Sequence, residues 1–419
     1  MEGCLECLAS EGALCRRAGM SVLLVSHGHP AFAKGGGELA AWRLFEAFRQ
    51  KPCFEGSGFL AAASSPDQLP AGSEVVGLSS DQWLIKRSPN PFFHDTAVNL
   101  SHGGQLHQAL AERRFQIIHL HHYLHVGIDL VLALKRWFPK AKLLLTLHDY
   151  WGPCVFEGRL LRASGELCSG GDPEACDQCL GGGRRGELAI RTLRLKRLFA
   201  VIDHLISPSF FLKQQYLDWG VETQKISVIE NLSAPDGSTL VPSHPAQTDA
   251  LVVGFFGQVN PWKGLDVLIE AVQLARESGV DVQLEVNGSQ LPEGEAKPGV
   301  QFNGSYEPHQ LADRMARVDV VAMASTWYEN SPMVIQEAFL HGRPVVAPHL
   351  GGMAEKIQDG QTGVLVRPSS APALAEVMQR LVDQPELLVQ LQQGVQRSLR
   401  RQADPERGHA QLYRRLMNC

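Results

Sequence analysis

The chain has 419 residues, a length that fits two domains of roughly 200 residues each. Its hydrophobic content of 44% and charged content of 20% are typical of a globular protein, and its net charge of -5 argues against a general nucleic-acid binder. No apolar run approaches the roughly 18 residues that span a bilayer, and residues 1–20 lack the apolar core of a signal peptide. We therefore expect a cytoplasmic protein with no nucleic-acid partner.

The start of the chain and its cysteines add two expectations. Residues 1–19 show no strand or helix pattern, and Met20 stands just before the first clear strand pattern. We expect residues 1–19 to be a disordered leader, or Met20 to be the true start. The nine cysteines are odd in number in a long chain, so a secreted disulfide scaffold fits poorly and a reducing cytoplasm is favoured.

The first half of the chain alternates short apolar runs with amphipathic stretches. Residues 21–26 predict a buried strand, and residues 38–50 predict a helix because their apolar side chains have helical spacing. The further strands predicted in this half are 116–120, 142–147, 204–207 and 225–229. Nearly continuous apolar strands that alternate with helices predict a parallel sheet covered on both faces.

The pattern breaks at 233–248, a stretch rich in Pro, Ser, Asp and Thr that predicts an interdomain linker. Beyond it, helices are predicted at 265–277 and 334–341, and strands at 251–256, 282–286, 318–322, 343–347 and 362–366. The sequence thus predicts an α/β protein with two doubly wound domains, 20–232 and 249–392, followed by a C-terminal helical stretch, 393–419. Ligands of such sheets sit beyond the carboxyl ends of the strands, so the cleft between the domains is the expected site.

A glycine-rich stretch, residues 34–38 (KGGGE), follows the first predicted strand and opens the first predicted helix. Glycines let the backbone approach a ligand closely, and a helix N-terminus attracts phosphate. Gly35 and Gly36 are therefore candidates for binding a phosphate or sugar. A plain flexible turn is the alternative interpretation.

Histidines gather where the strand predicted at 116–120 ends. They are His119, His121, His122 and His125. Side-chain alternation puts the first two on the same side of the strand, at a place that suits a catalytic histidine. Zinc binding and a structural role are the alternatives. His148 follows the next strand and is a candidate for lining an acceptor site.

Four cysteines lie within the segment 154–179: Cys154, Cys168, Cys176 and Cys179. The last two form a Cys-x-x-Cys pair, and four thiolates suffice for a tetrahedral structural zinc. A disulfide or redox pair, and free thiols, are the alternatives.

Residues 184–197 carry six basic side chains and one acidic side chain, with leucines and an isoleucine between them. A basic amphipathic helix of this kind can rest on anionic lipid, which indicates peripheral membrane contact. A solvated helix face is the alternative.

The segment Gly254–Gly264 (GFFGQVNPWKG) predicts a strand, a glycine-bearing turn and the start of a helix. Lys263 and the helix N-terminus offer positive charge to a diphosphate. A surface turn with a solvated lysine is the alternative, and the segment matches neither the P-loop nor the dinucleotide fingerprint.

The segment Trp327–Phe339 (WYENSPMVIQEAF) places Glu329 in a loop after a predicted strand and Glu337 within the next helix. Ser331 and Pro332 are residues that favour a helix start. Both carboxylates and the free amides of the first helical turn could therefore face one nucleotide.

These motifs together resemble the donor domain of glycosyltransferase family 4. The resemblance rests on Gly254–Gly264, on the two glutamates with seven residues between them, and on the run His341–Ala347 followed by Gly351 and Gly352. It extends from about Ser21 to Leu381. It implies the GT-B fold, in which two Rossmann-like domains face each other across a cleft and the C-terminal helix returns to the first domain. It also implies a retaining transfer from a nucleotide sugar without a catalytic metal.

The resemblance also implies roles for individual residues. Lys263 would hold the phosphates, Glu337 the ribose hydroxyls and Glu329 the donor sugar, while His121 would lie near the reacting carbon. The other residues that it places around the donor are Gly35, Gly36, Gln258, Asn330, Ser331 and Met333, and Val334 joins them as one of the free amides of the predicted helix start.

Two observations concern the charge of the leaving diphosphate. The family usually has an arginine where this chain has Gln258, which hydrogen-bonds without adding charge, so we expect a variant site that remains active. No two aspartates are separated by a single residue, so the Asp-x-Asp motif of metal-dependent transferases is absent. The sequence therefore predicts that no cofactor is required for catalysis and that structural zinc is the one candidate metal.

The expected function is transfer of a sugar from a nucleotide-diphosphate sugar to a glycan or lipid-linked acceptor, as in polysaccharide synthesis. The protein would act in the cytoplasm or at the inner face of the membrane. Two alternatives remain open, a nucleotide-sugar epimerase of similar fold and a catalytically silent nucleotide-sugar binding protein.

Overall fold

Two β-sheets flanked by helices form the protein. The structure is a computed structural model, and it describes residues 19–33, 35–90, 92–232, 250–289, 297–399 and 404–417. The predicted linker 233–248 and nearly all of the predicted leader lie outside these residues, so the domain boundaries at 232 and 249 stay predictions.

The first sheet has eight strands in the order β3-β4-β2-β1-β5-β6-β7-β8, and every neighbouring pair is parallel except β3 and β4. Its strands are β1 (Val22–Ser26), β2 (Gly58–Ala62), β3 (Val75–Ser79), β4 (Gln82–Ile85), β5 (Ile117–Leu120), β6 (Lys142–Thr146), β7 (His204–Ser207) and β8 (Ile226–Val228). The helices of this half are α1 (Gly36–Arg49), α2 (Gln105–Leu110), α3 (Ile128–Trp137), α4 (Pro173–Cys179), α5 (Arg185–Val201) and α6 (Phe210–Asp218).

The second sheet has six parallel strands in the order β11-β10-β9-β12-β13-β14. They are β9 (Leu251–Phe256), β10 (Val282–Asn287), β11 (Val300–Phe302), β12 (Val320–Ala322), β13 (Val345–Pro348) and β14 (Gly363–Val366). The remaining helices are α7 (Leu265–Glu277), α8 (Leu311–Ala316), α9 (Met333–Leu340), α10 (Gly351–Lys356), α11 (Ala371–Asp383), α12 (Pro385–Leu399) and α13 (Pro405–Met417).

The two faces of each sheet are covered because side chains alternate along every strand. In β1, Leu23 and Val25 belong to one hydrophobic core and Val22 and Leu24 to another. Helix α13 packs on the first sheet, where Tyr413 is buried and its hydroxyl lies 2.6 Å from His119 Nδ1. None of the helices in the described ranges is long and apolar enough to cross a bilayer.

Each of the ten predicted strands overlaps a strand of the structure, and the predicted α/β fold is confirmed. The strands that the sequence missed are β2, β3, β4 and β11. Three of these, β3, β4 and β11, lie at or next to a sheet edge, where β3 is largely exposed and β11 is partly exposed. An edge strand does not need the continuous apolar run by which the others were recognised. β2 is buried along its whole length, so this reason does not apply to it.

Candidate functional site

The loop after β9 carries the first predicted ligand-binding side chain. The side chain of Asn260 accepts hydrogen bonds from the amides of Trp262 and Lys263 at 3.0 and 3.1 Å and so shapes the turn. Gly264 has a φ of 64°, and a Cβ there would lie 2.0 Å from the carbonyl oxygen of Ala324. Only glycine fits this contact, in which the loop packs against the end of β12. Lys263 therefore lies beside the loop that follows β12.

Lys263 meets the first predicted glutamate directly. Glu329 is 7% exposed, and its Oε1 accepts from Lys263 Nζ at 2.6 Å, Ser325 Oγ at 2.9 Å and Trp327 Nε1 at 3.0 Å. Burial alone would raise the pKa of Glu329, but the ammonium and the three hydrogen bonds outweigh it and hold that pKa below its ordinary value. The site therefore contains a fixed anion whose partner cation is partly open to the cleft.

Two glycines hold the Glu329 loop in place from behind. The amide of Gly352 donates to the carbonyl oxygen of Glu329 at 2.7 Å, and a Cβ on Gly352 would lie 1.9 Å from the carbonyl oxygen of Asn330. Its neighbour Gly351 has a φ of 55°, a conformation that favours glycine. The run of two glycines is thus required for α10 to approach the loop so closely.

Gly352→Ala is therefore expected to lower the free energy of unfolding by about 1–3 kcal/mol, because the methyl group would overlap a backbone oxygen that cannot turn away. Chemical denaturation would measure this loss. Gly186→Ala is the matched control, since nothing lies near a Cβ at that helical position. Equal stability of the two variants would contradict the close approach.

The start of α9 faces the first half of the chain. Asn330 Nδ2 donates to the carbonyl oxygen of His148, and a Cβ on Gly36 would lie 3.7 Å from the methyl group of Met333. Asn330 Oδ1 and Ser331 Oγ are buried, and neither has a hydrogen-bond partner among the described residues. Unpaired buried acceptors and the free amides of a helix start leave polar groups for a ligand.

The second predicted glutamate has a partner that the sequence did not reveal. Arg43 Nη2 of α1 lies 3.1 Å from Glu337 Oε1 of α9, and both side chains are largely buried. Arg43 Nη1 also contacts Met333 Sδ at 3.6 Å. Arg43 follows Gly36 by seven residues, two helical turns, so it lies on the same face of α1 as the glycine that faces Met333. That spacing is the signal that could have found it.

The glycine-rich start of α1 forms the opposite wall of the site. Glu38 Oε1 lies 3.0 Å from His27 Nε2, and a Cβ on Gly35 would lie 2.4 Å from the other oxygen of Glu38. A Cβ on Gly37 would lie 3.5 Å from the ring of His148. The predicted residues of both halves of the chain thus converge on one place, although Lys34 lies outside the described residues.

Two of the predicted histidines pair with each other. His121 Nδ1 lies 3.0 Å from His148 Nε2, and the two rings stack with centroids 5.2 Å apart. Burial, reinforced by the charges of neighbouring histidines, holds the pKa of His121 well below its usual value and lowers the pKa of His148 to about 3. Both rings are therefore neutral near pH 7. His121 Nε2 is buried and has no partner among the described residues, so it remains available to a ligand.

The remaining histidines of the group have other partners. His119 lies between Tyr413 and Thr146, His122 bonds to Asp149 at 2.7 Å, and His125 contacts Arg87. Among the residues that the structure describes, no three His, Cys, Asp or Glu side chains are arranged to hold a metal ion.

We expect the buried histidines to make the protein sensitive to acid. The folded pKa is lowered to about 3 for His94 and His148 and to about 4 for His409, so below pH ~6.5 the unfolded chain binds more protons than the folded one. The contribution of these histidines to the free energy of unfolding is fully present above pH ~6.5. It is lost as the pH drops toward 4, by about 1.4 kcal/mol per pH unit for each such histidine.

Urea unfolding between pH 8 and pH 4 would measure this slope. The control variant is His94→Asn, because asparagine tolerates the φ of 56° at this position and does not titrate in this range. The free energy of unfolding of this variant should depend less steeply on pH, by about 1.4 kcal/mol per pH unit for the one histidine removed. An unchanged slope would mean that the ring of His94 does not contribute.

Three other predicted features have these positions. Gln258 is exposed at the start of the loop that follows β9, and its side chain has no hydrogen bond among the described residues. The predicted basic helix is α5, in which Leu193 is 67% exposed, while Arg194 pairs with Asp95 and Asp129 and Arg191 is buried. Only part of the positive charge of α5 therefore faces solvent.

The four cysteines are free thiols that line one small cavity.

The comparisons with known proteins agree with this geometry. Residues 250–384 match the family described as "Glycosyl transferases group 1", and residues 59–232 match "Glycosyltransferase Family 4". D-inositol 3-phosphate glycosyltransferase of Rhodococcus opacus (strain B4) is 28% identical over 273 residues, which are 58% of this chain and 57% of that protein. Alpha-D-kanosaminyltransferase of Streptomyces kanamyceticus is 28% identical over 152 residues, 33% of this chain and 38% of that protein. The match to the first of these relatives thus spans little more than half of its length.

The solved structures resemble the chain over nearly its full length. Anabaena HepE in complex with UDP has a TM-score of 0.65 at 19% identity and covers 96% of this chain and 100% of that chain. Sucrose-phosphate synthase of Thermosynechococcus elongatus has a TM-score of 0.65 at 19% identity and covers 95% and 99%. This likeness defines a protein of the GT-B fold. The two family matches, over residues 59–232 and 250–384, support a glycosyltransferase of the family 4 type.

Proposed function

We propose that this protein transfers a sugar, with retention at the anomeric carbon, from a nucleotide-diphosphate sugar to a glycan or lipid-linked acceptor. The observation that carries the proposal is the ion pair of Lys263 with the buried carboxylate of Glu329, at the place where the loops that follow β9 and β12 meet. Relatives named as glycosyltransferases and a fold shared with HepE, whose structures hold UDP or UDP-glucose, support the same reaction.

In this proposal Lys263 changes partner when the donor binds. Its ammonium is held beside Glu329 in the free protein and is more exposed than the carboxylate. A diphosphate that enters the cleft offers it a second anion, and the charge that develops on the leaving phosphate strengthens the attraction in the transition state. Glu329, still held by Ser325 and Trp327, would then accept a hydroxyl of the donor sugar.

The neutral histidine pair suits a position beside the reacting carbon. His121 Nε2 is buried and unpartnered among the described residues, so it can accept from or donate to a sugar hydroxyl, depending on its tautomer. Positive charge at this place would oppose the oxocarbenium character of a glycosyl transition state, and the lowered pKa values keep the pair uncharged. We propose His148, which touches both His121 and the start of α1, for the acceptor side.

The protein is proposed to hold the diphosphate without a divalent ion. The groups available are Lys263, the amides at the start of α9 and the glycine-rich start of α1. Such fixed dipoles and cations can neutralise a leaving diphosphate in place of Mg²⁺. A lipid-linked acceptor would bring the exposed face of α5 toward the inner surface of the membrane.

A panel of UDP-, GDP- and ADP-sugars, assayed for binding and hydrolysis with and without EDTA, tests the proposal. Turnover of one donor that survives chelation, with a product that keeps the anomeric configuration by NMR, is the expected result. Conversion of the donor sugar into its epimer without release of nucleotide would establish the epimerase instead. Tight binding without any turnover would establish the silent binding protein.

A further inference from the structure

The four cysteines that lie apart in sequence are brought to one place by the fold. Cys154, Cys168, Cys176 and Cys179, here called the cysteine cluster, line a cavity of about 100 Å³. All four are free thiols, and the cavity also contains Pro153 and Ala175. Four soft ligands around a space of this size are the donor set that a tetrahedral Zn²⁺ prefers.

Backbone amides already point at two of the sulfur atoms. The amide of Leu160 donates to Cys154 Sγ at 3.4 Å, and the amide of Gly170 donates to Cys168 Sγ at 3.3 Å. Hydrogen bonds of this kind stabilise a thiolate more than a thiol and orient metal ligands. The other two cysteines occupy positions i and i+3 of α4, so one helix face can present both.

A buried positive charge lies beside the cysteine cluster. Arg191 is 2% exposed and donates to the carbonyl oxygens of Trp151, Gly152 and Cys154. Its Nε has no hydrogen-bond partner, and in the described part of the chain no carboxylate forms an ion pair with it. A buried cation with only neutral partners is strongly unfavourable, so a negative charge nearby would stabilise it.

We propose that the cysteine cluster binds one Zn²⁺ through four thiolates and that the net negative charge of this centre balances Arg191. Four sulfur–zinc bonds form, and the four thiol protons pass to solvent, which leaves a centre of charge −2 next to the guanidinium. As the side chains stand, the described residues hold no three such ligands arranged for a metal ion. Binding therefore requires the thiols to rotate into the cavity that they line.

The metal centre would stabilise the segment between Cys154 and Cys168, which reaches the loop that carries Lys263. Between the first two cysteines, Glu157 and Leu160 have φ values of 51° and 49°, which are unfavourable for such residues and persist only where the surroundings impose them. The guanidinium of Arg159 lies over the ring of Trp262 with its carbon 5.2 Å from the ring centre. Trp262 adjoins Lys263, so the metal would fix a contact next to the proposed phosphate site.

The zinc content of the full-length protein, purified from zinc-replete cells without a metal-affinity tag, tests the proposal by elemental analysis. We expect about one zinc per chain in the wild type and less than about 0.1 in the Cys176→Ser/Cys179→Ser variant. The Cys53→Ser and Cys4→Ser/Cys7→Ser variants are the controls, because they change cysteines outside the cluster and should keep the metal.

A second measurement covers the case in which the cluster variant does not fold. The wild-type protein, stripped of metal by a chelator under reducing conditions, should regain one equivalent of Co²⁺ with the intense visible bands of a tetrahedral thiolate site. The melting temperature should rise as the metal is restored. Metal-free wild-type protein with reactive thiols would overturn the proposal, and so would a mass loss that shows disulfides. Neither result would bear on donor binding, which is measured separately.

Discussion

Lys263→Met is expected to reduce kcat/KM for the nucleotide-sugar donor by about 10²- to 10³-fold, the range found when a group that stabilises developing charge is removed. The methionine side chain keeps much of the volume but cannot neutralise a leaving diphosphate. Because Gln258 is uncharged, Lys263 is the one cation in the described part of the loop Gly257–Gly264. Steady-state kinetics with the donor identified by the panel would measure the effect.

The same substitution also leaves Glu329 without its cation, so a loss of activity could reflect a damaged fold. The double variant Lys263→Met/Glu329→Gln removes both charges while Ser325 and Trp327 keep a hydrogen-bond acceptor in place. It should recover the stability lost by Lys263→Met but not its activity. Wild-type kcat/KM in Lys263→Met would contradict the assignment of the phosphate contact.

The second large effect is expected at Glu337. Glu337→Gln should raise KM for the donor by about tenfold, which corresponds to roughly 1.4 kcal/mol of lost binding, and should change kcat less. The reason is that a carboxylate binds ribose hydroxyls through charge-assisted hydrogen bonds, which an amide replaces only in part.

Arg43→Gln provides the matched control for this prediction. It breaks the same ion pair between α1 and α9 but leaves the carboxylate free to accept from the donor. We expect its KM to stay near the wild-type value. An equal loss in both variants would mean that the contact between the two halves matters and that Glu337 does not hold the donor.

The sequence predicted the parts of the site that depend on local backbone geometry. Gly264 was singled out by the glycine-bearing turn that the sequence predicts, and Gly351-Gly352 by the family resemblance. The structure adds the reason for these glycines, because a Cβ at Gly264 or Gly352 would overlap the carbonyl oxygen of Ala324 or Asn330. The rule that ligands sit beyond the carboxyl ends of parallel strands led us to expect Lys263 and Glu329 at one site, but their direct ion pair was not predicted.

The sequence could not predict contacts between elements far apart along the chain. Arg43 and Glu337 are 294 residues apart, and Asn330 and His148 are 182 residues apart. Arg159 over Trp262 is another such pair. No local pattern encodes which face of one helix meets another element, because that is decided by how both sheets and their helices pack.

The chain by itself therefore determined the fold, through the alternation of apolar strands and amphipathic helices, and the places of its glycine-bearing turns. Tertiary structure alone decided the charge balance. The sequence placed Glu329 in the site and Arg191 in a basic helix, and only packing shows that both groups are buried and which partners they have. Burial removes the water that would otherwise screen and solvate the charge, so the chemistry of these groups depends on neighbours that the fold supplies.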